Sequence, residues 1–290
     1  MANFNRKYKL TISNESLDLD IESIEDQFLR IIFEIVHDPG GNNVFGEISV
    51  YNLSKASEQK IYEQFTNVTL IAGYEGSQDV IFKGEIINIV RGRDVADTFV
   101  TMYCRSLGKA AFETNINKTL PVNSTIIDVL TECSNAFGVP LIVDEIDFSG
   151  DVAFGRGAPL QGDPKVILNN LKSTYKFDWF FENGRMVVLK QDSIRTGEVV
   201  DISMLKGMVG SPEITEIGAN VATKLNPRIR FGTLFTVESI TPRVNFSNLY
   251  FQDVPETIGV GQYKVLRVTF RGDSHGTSWD SLIEGIRYAG

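Results

Sequence analysis

The chain has 290 residues, of which 42% are hydrophobic and 10% aromatic, so it can bury ordinary cores in one large or two to three small domains and is too apolar to be disordered. Its net charge of −9 argues against a nucleic-acid-binding surface, which needs a basic face to displace counterions. No stretch reaches the ~18 consecutive apolar residues of a membrane span, and Met1-Ala-Asn-Phe-Asn-Arg-Lys-Tyr8 lacks the apolar core of a signal peptide, so folding in a cytosol is expected.

Residues 4–36 read as two or three strands. Tyr8, Leu10 and Ile12 alternate with polar neighbours, and Leu29 to Val36 is a strong β run, followed by the loop His37-Asp-Pro-Gly-Gly-Asn-Asn43. Gly46 to Leu53 is another strand. Ser54 to Phe65 reads as a helix of about three turns, with Ser54 as the N-cap and Ile61, Tyr62 and Phe65 as its apolar stripe. Val68–Tyr74 and Val80–Ile86 pair through Glu75-Gly-Ser-Gln-Asp79, and a hairpin across Arg91-Gly92 closes the segment. Closely spaced strands with turn signals predict a β-barrel or sandwich.

The pattern changes at about Leu107. Asn123 to Gly138 reads as a helix capped by Asn123 or Ser124, with Ile126, Ile127, Leu130, Cys133 and Phe137 on one face and Gly138 at its left-handed end. A strand, Val139–Val143, follows. Asp163-Pro164 opens a second helix, and Asn183-Gly184 reads as a type I′ turn inside the hairpin Phe177–Leu189. From about Thr196 the chain is β again, interrupted by a long connection holding Phe246, Leu249, Tyr250 and Phe251. Apolar side chains on a solvated loop mark an interface, so these four are the partner-contact candidates; folding back onto their own β unit is the alternative.

The closing segment Tyr263–Trp279 resembles the earlier one at Ile86–Cys104. In both, an Arg-Gly pair ends the first strand (Arg91-Gly92, Arg271-Gly272), and an aromatic residue lies seven positions on (Phe99, Trp279). The expectation is one β unit used twice, its copies 180 residues apart. The domains are then 1–106, a first β-barrel or sandwich; 107–195, an inserted α+β domain; and 196–290, a second such β unit with a loop insertion at 244–260; the resemblance given below implies that both are tube-like barrels. The fold class is mainly β with an α+β insert.

Chemistry-bearing residues are sparse. Cys104 and Cys133 form no CxxC and no metal spacing, and read as buried thiols. His37 and His275 both fall in turn-like segments. Asp273-Ser274-His275 holds the residue types of a triad, but adjacent residues in one turn do not align as orienter, nucleophile and base. Gly155-Arg-Gly157 lacks the strand–glycine loop–helix order of a phosphate cradle. Asp144, Glu145, Asp147 and Asp151 form an acidic cluster without EF-hand spacing, which reads as a solvated face. No catalytic residue, metal site or cofactor is expected.

In the order of these parts the chain resembles the baseplate hub proteins of contractile-tailed bacteriophages, the late-control-D-like tail proteins, and the related hub module of type VI secretion spike proteins. The resemblance is carried by Gly46-Glu-Ile-Ser-Val-Tyr-Asn-Leu-Ser54 before a short helix, by Ile81-Phe-Lys-Gly-Glu-Ile86, and by Gln161-Gly-Asp-Pro164 before a helix. Leu225-Asn-Pro-Arg-Ile-Arg-Phe-Gly-Thr233 and the closing hairpin carry it further. It implies a structural virion protein: a homotrimer whose two barrels per chain form a pseudo-six-fold ring. Such a ring joins the hexameric tail tube to the trimeric central spike, contacts other baseplate proteins, and encloses a channel through which DNA passes without specific binding. It also implies assembly in the host cytoplasm, with the β-helical needle and any lysozyme-like activity on other chains. Residues 1–105 carry 10 Lys and Arg against 16 Asp and Glu, an excess suited to a wall that repels phosphates. The alternatives are a cell-wall hydrolase using the carboxylates near Asp144, or a carbohydrate-binding module.

Overall fold

The computed structural model describes residues 5–14, 16–23, 28–38, 43–63, 65–107, 113–151, 154–245 and 260–288. The first β region consists of β1 (Arg6–Ser13), β2 (Asp18–Glu22), β3 (Ile31–Asp38), β4 (Asn43–Tyr51), helix α1 (Lys55–Glu63), β5 (Asn67–Tyr74), β6 (Ser77–Asp94) and β7 (Asp97–Arg105). Strict alternation explains the strands: in β3, Ile31, Phe33, Ile35 and His37 point inward while Glu34 faces out. Ser54 starts α1 as expected, its Oγ accepting from the Ser57 amide at 3.1 Å.

The middle region holds β8 (Ile116–Leu120), α2 (Ile126–Phe137), β9 (Leu141–Ile142), a short 3-10 turn (Glu145–Phe148), β10 (Ala158–Gly162), α3 (Pro164–Tyr175), β11 (Phe177–Glu182) and β12 (Arg185–Lys190). The cap of α2 is Thr125, one or two residues later than expected. Its hydroxyl accepts from the Asp128 amide while Asp128 accepts from the Thr125 amide, a reciprocal capping box. Asp163 and Pro164 open α3 as expected. Asn183 and Gly184, both at positive φ (51° and 75°), turn β11 into β12.

The last region holds β13 (Val200–Ser203), β14 (Met208–Thr215), β15 (Gly218–Lys224), β16 (Leu234–Glu238), β17 (Arg243–Asn245), β18 (Val260–Asp273) and β19 (Trp279–Arg287). The fold is mainly β. All described strands except the β8–β10 pair are joined in one connected sheet. The first region runs in the hydrogen-bonded order β3-β4-β7-β6-β5-β1, and the last runs β14-β15-β19-β18-β16-β13. The two orders correspond strand for strand, and the pair directions agree except that β13 lies parallel to β16 where β1 is antiparallel to β5. Among the described residues no pairing joins the two ends of either run to each other.

The repeat aligns through backbone irregularities. Both long hairpins carry a one-residue bulge, at Ile87 in β6 and at Leu266 in β18. Beside it the Ile86 amide donates to the Thr66 carbonyl at 2.8 Å, and the Val265 amide to the Thr233 carbonyl at 2.9 Å. At the far end the Asn52 amide meets the Thr98 carbonyl, and Leu225 meets Trp279 in the same way. By this register Ile86 corresponds to Val265 and Thr98 to Trp279.

The Arg-Gly match expected from the sequence is therefore one residue out of step. Gly92 does face Phe99, and Gly272 does face Trp279, as cross-strand partners. A Cβ at Gly92 would lie 2.3 Å from the Phe99 ring, and one at Gly272 would lie 2.3 Å from the Phe33 ring. The two glycines nevertheless sit on opposite faces. Trp279 is buried in the core, whereas Phe99 shares the outward side of β7 with Tyr103. A one-residue slip in a strand exchanges its faces.

Buried apolar residues gather in two main clusters. One draws on residues 8–104 together with 202–283, and the other on residues 107–188. A third, of Phe180, Val187, Leu189 and Phe231, ties the outer face of the β11–β12 hairpin to the segment before β16. The hairpin is thus covered on both sides, with Trp179 and Phe181 in one cluster and Phe180 in the other.

Candidate functional site: the joint between the two β regions

Two features bring the three regions together. The first is a direct sheet joint. The second half of β18 pairs antiparallel with β3, from Val268 opposite His37 to Asp273 opposite Ile32. Arg30 Nη2 lies 2.6 Å from Asp273 Oδ2 across this joint. The hydrogen bond from Arg30, opposed by partial burial and helped by amides of the turn, holds the Asp273 carboxyl below the ordinary carboxylate range. Arg6 donates to the carbonyls of Asp273, Gly276 and Thr277 and stacks over Trp279 with 5.6 Å to the ring centre. The Trp279 indole donates to the Gly73 carbonyl at 3.0 Å, and Tyr74 Oη donates to the Trp279 carbonyl at 3.3 Å. Asp273, Gly276, Thr277 and Trp279 thus all fasten this turn to the first region.

The second feature is a buried charge cluster at the base of a cleft of about 700 Å3. Glu182, at the end of β11, is 4% exposed. Its Oε2 takes a 2.9 Å hydrogen bond from Arg195 and lies 3.7 Å from Arg230. Its Oε1 lies 3.5 Å from His37 Nδ1. His37 Nε2 is 3.0 Å from the Ile81 carbonyl, which can only accept, so that nitrogen carries a hydrogen. Arg230 continues to Asp79 and the Val80 carbonyl, each at 3.2 Å. Burial works to raise the Glu182 carboxyl, but His37, Arg195 and Arg230 outweigh it and bring it down to about 2. One carboxylate from the middle region thus meets His37 of β3 and holds guanidinium groups from the segment after β12 and from the segment before β16.

The residues singled out from the sequence fall as follows. His37 is not in a turn: it is a buried strand residue of β3, because the strand runs two residues further than the apolar pattern shows. His275 is in the turn after β18, where its Nδ1 meets Ser274 Oγ at 3.0 Å and its ring lies 5.0 Å from that of Phe28, tilted by 54°. Asp273 is committed to Arg30, so no nucleophile–base–orienter geometry forms there. Burial pushes the thiols of Cys104 and Cys133 up to about 12, with Glu132 adding to the second, which keeps both protonated and inert. Asp144 caps the 3-10 turn by accepting from the Ile146 amide, and Asp151 takes Lys190 at 2.8 Å. Among the described residues no group of three metal-binding side chains lies together, and no helix is long and apolar enough to cross a membrane. Phe246, Leu249, Tyr250 and Phe251 lie outside the described residues. Glu182, Arg195 and Arg230 were not singled out from the sequence. The one signal was a Glu closing the otherwise aromatic run Phe177-Asp-Trp-Phe-Phe181.

Comparison with known proteins bears on this architecture. Residues 40–250 match the sequence model of the family described as baseplate hub gp41. Nothing among curated protein sequences matches the chain. Among solved structures, the fold is similar to the 43 kDa tail protein of prophage MuSo2 from Shewanella oneidensis, with a TM-score of 0.59, 11% identity and 98% of each chain covered. It is similar also to a tail protein from Neisseria meningitidis MC58, with a TM-score of 0.60, 8% identity, and 99% of this chain and 98% of that one covered. A third is the E. coli c3393 protein, a component of the type VI secretion system described as structurally similar to the T4 bacteriophage tail proteins gp27 and gp5. It gives a TM-score of 0.57 at 10% identity, over 97% of this chain and 77% of that one. At these identities the likeness is one of fold.

Proposed function

The chain belongs to the baseplate hub gp41 family of phage tail structural proteins, and on that premise we propose that it is the non-catalytic hub of a tail baseplate. In this reading three copies form a ring. Each copy contributes two tube-like barrels, residues 1–106 and 196–290, with the α+β domain 107–195 inserted between them. The six barrels match the six-fold tail tube on one face, while the three-fold symmetry of the whole matches a trimeric central spike on the other. The ring encloses the DNA channel, and its acidic excess repels phosphates without binding them. The protein resides in the virion tail and is assembled in the host cytoplasm, where other baseplate proteins dock around it.

The observation that carries this reading is the strand order repeated within one chain and joined side by side through β3 and β18. Two equivalent units per chain are what a three-to-six symmetry adaptor requires, and pairing edge to edge hides strands that would otherwise aggregate. Co-purification with the tail tube and spike proteins of the same particle tests it: a complex holding all three supports the hub. A chain that binds neither, or that clears peptidoglycan in a zymogram, overturns it.

A further inference from the structure

The cleft above the Glu182 cluster continues into a second hollow. The two measure about 700 and about 530 Å3, and both are lined by Asp79, Arg195, Thr196 and Arg230, so they form one groove over the meeting place of the three regions. The five carboxylates along it are already engaged within the chain. Glu182 is held by Arg195, Asp79 by Arg230, Asp201 by Lys206 and Glu198 by Arg228, while Asp144 accepts from Thr196 and from the Ile146 amide. Two of the six basic residues lining the groove are different. Among the described residues the exposed side chains of Lys83 in β6 and Arg185 in β12 make no hydrogen bond or ion pair. They are neighbours: a Cβ built on Gly184, the residue before Arg185, would lie 3.9 Å from Lys83 Cδ.

Beneath these two cations the floor also has a spare donor. Arg195, which lines both hollows, bonds Glu182 through Nη1 and leaves its buried Nη2 without a hydrogen-bond partner. The walls add apolar surface, with Ile142 46% exposed in the first hollow and Val199 42% exposed in the second. Free cations beside exposed apolar side chains, in a chain of net charge −9, fit a ligand that is both acidic and apolar. The length of the groove suits an extended chain better than a compact small molecule. Its five carboxylates oppose a phosphate backbone, whereas a peptide presents separate carboxylates that guanidinium and ammonium groups grip one by one. We propose that the groove docks an extended acidic segment of a partner protein, its carboxylates on Lys83 and Arg185 and its apolar side chains on Ile142 and Val199. These four residues come from the first, middle and last regions, so the segment recognises the chain only when all three are in place. The inference deepens the hub proposal by giving the chemistry of one docking partner. It rests on that proposal for the partner being a baseplate protein, but not for the groove.

The test is fluorescence anisotropy of a labelled Leu-Glu repeat peptide titrated with the full chain, beside a Leu-Lys repeat peptide. Saturable binding of the acidic peptide alone is expected, weakening as salt is added. The variant K83Q/R185Q should lose roughly tenfold in affinity or more. The variant K55Q/K60Q, which removes the same charge from exposed positions on α1, should bind as the wild type does. Equal thermal midpoints of the three proteins show that the loss is local. No binding of the acidic peptide, equal binding of both peptides, or equal loss in both variants overturns the inference, as does duplex DNA that displaces the peptide. Co-purification with the tube and spike proteins is a separate readout. Its failure beside peptide binding removes the hub and leaves the groove, and its success without peptide binding removes the groove and leaves the hub.

Discussion

Arg30 and Asp273 are 243 positions apart in sequence, yet the guanidinium grips the carboxylate through two hydrogen bonds, at 3.1 and 2.6 Å. They sit at the end of the β3–β18 joint, so their pairing reports on contact between the two β regions. Arg30 is 40% exposed, which limits the effect through solvent screening. D273N should cost about 1 kcal/mol. A double-mutant cycle with R30A in urea should recover a coupling of about the same size, and additive single effects would mean the pair does not clasp the joint.

The charge cluster predicts an acid transition. Glu182 titrates near 2 in the folded chain against an ordinary 4.5, so its contribution is complete above about 4.5 and is lost as pH falls towards 2. The groups facing it are His37, Arg195 and Arg230, with Asp79 behind Arg230. That contribution is on the order of 3 kcal/mol. Chemical denaturation of wild type and E182Q across this range should show the curves converging at low pH; parallel curves would rule the cluster out as the source.

The Phe180–Phe231 contact, with rings 5.0 Å apart and near perpendicular, is the apolar link between the middle hairpin and the last region. Replacing either by Ala should cost about 3–5 kcal/mol by cavity formation. The double variant should cost clearly less than the sum, since each truncation already empties the shared space. Strict additivity would show that the rings act independently.

The bulges predict an asymmetry between deletion and substitution. Leu266 is 41% exposed, so L266A should shift the thermal midpoint little. Deleting Leu266 removes the bulge, puts the strand out of register on one side of it, and should prevent folding, as read by circular dichroism and solubility. A soluble, cooperatively melting deletion variant would show that the bulge is dispensable.

The β character, the middle helices and the Asn183-Gly184 turn were legible because each rests on local signals: alternation, a capping Asp-Pro pair, a positive-φ dipeptide. The repeat was legible only in outline. Matching Gly92 to Gly272 paired the right hairpins but the wrong residues, because a bulge leaves no mark in composition and each glycine faces an aromatic partner. His37 looked like part of a turn because Asp38-Pro39-Gly40 follows it, yet pairing with β4 and β18 carries the strand through it. Glu182, Arg195 and Arg230 lie 13 to 48 positions apart and are brought together by packing of whole regions. No pattern along the chain encodes that meeting.

The central claim is that one chain carries two equivalent β units, three copies of which make six. Mass measurement of the purified chain by light scattering, followed by electron microscopy of the peak, tests it most directly. The account predicts particles of about three times 32.3 kDa that average to a ring with six peripheral lobes around an open channel. A stable monomer of 32.3 kDa, alone and with its spike, or a closed ring with any other number of lobes, would contradict it.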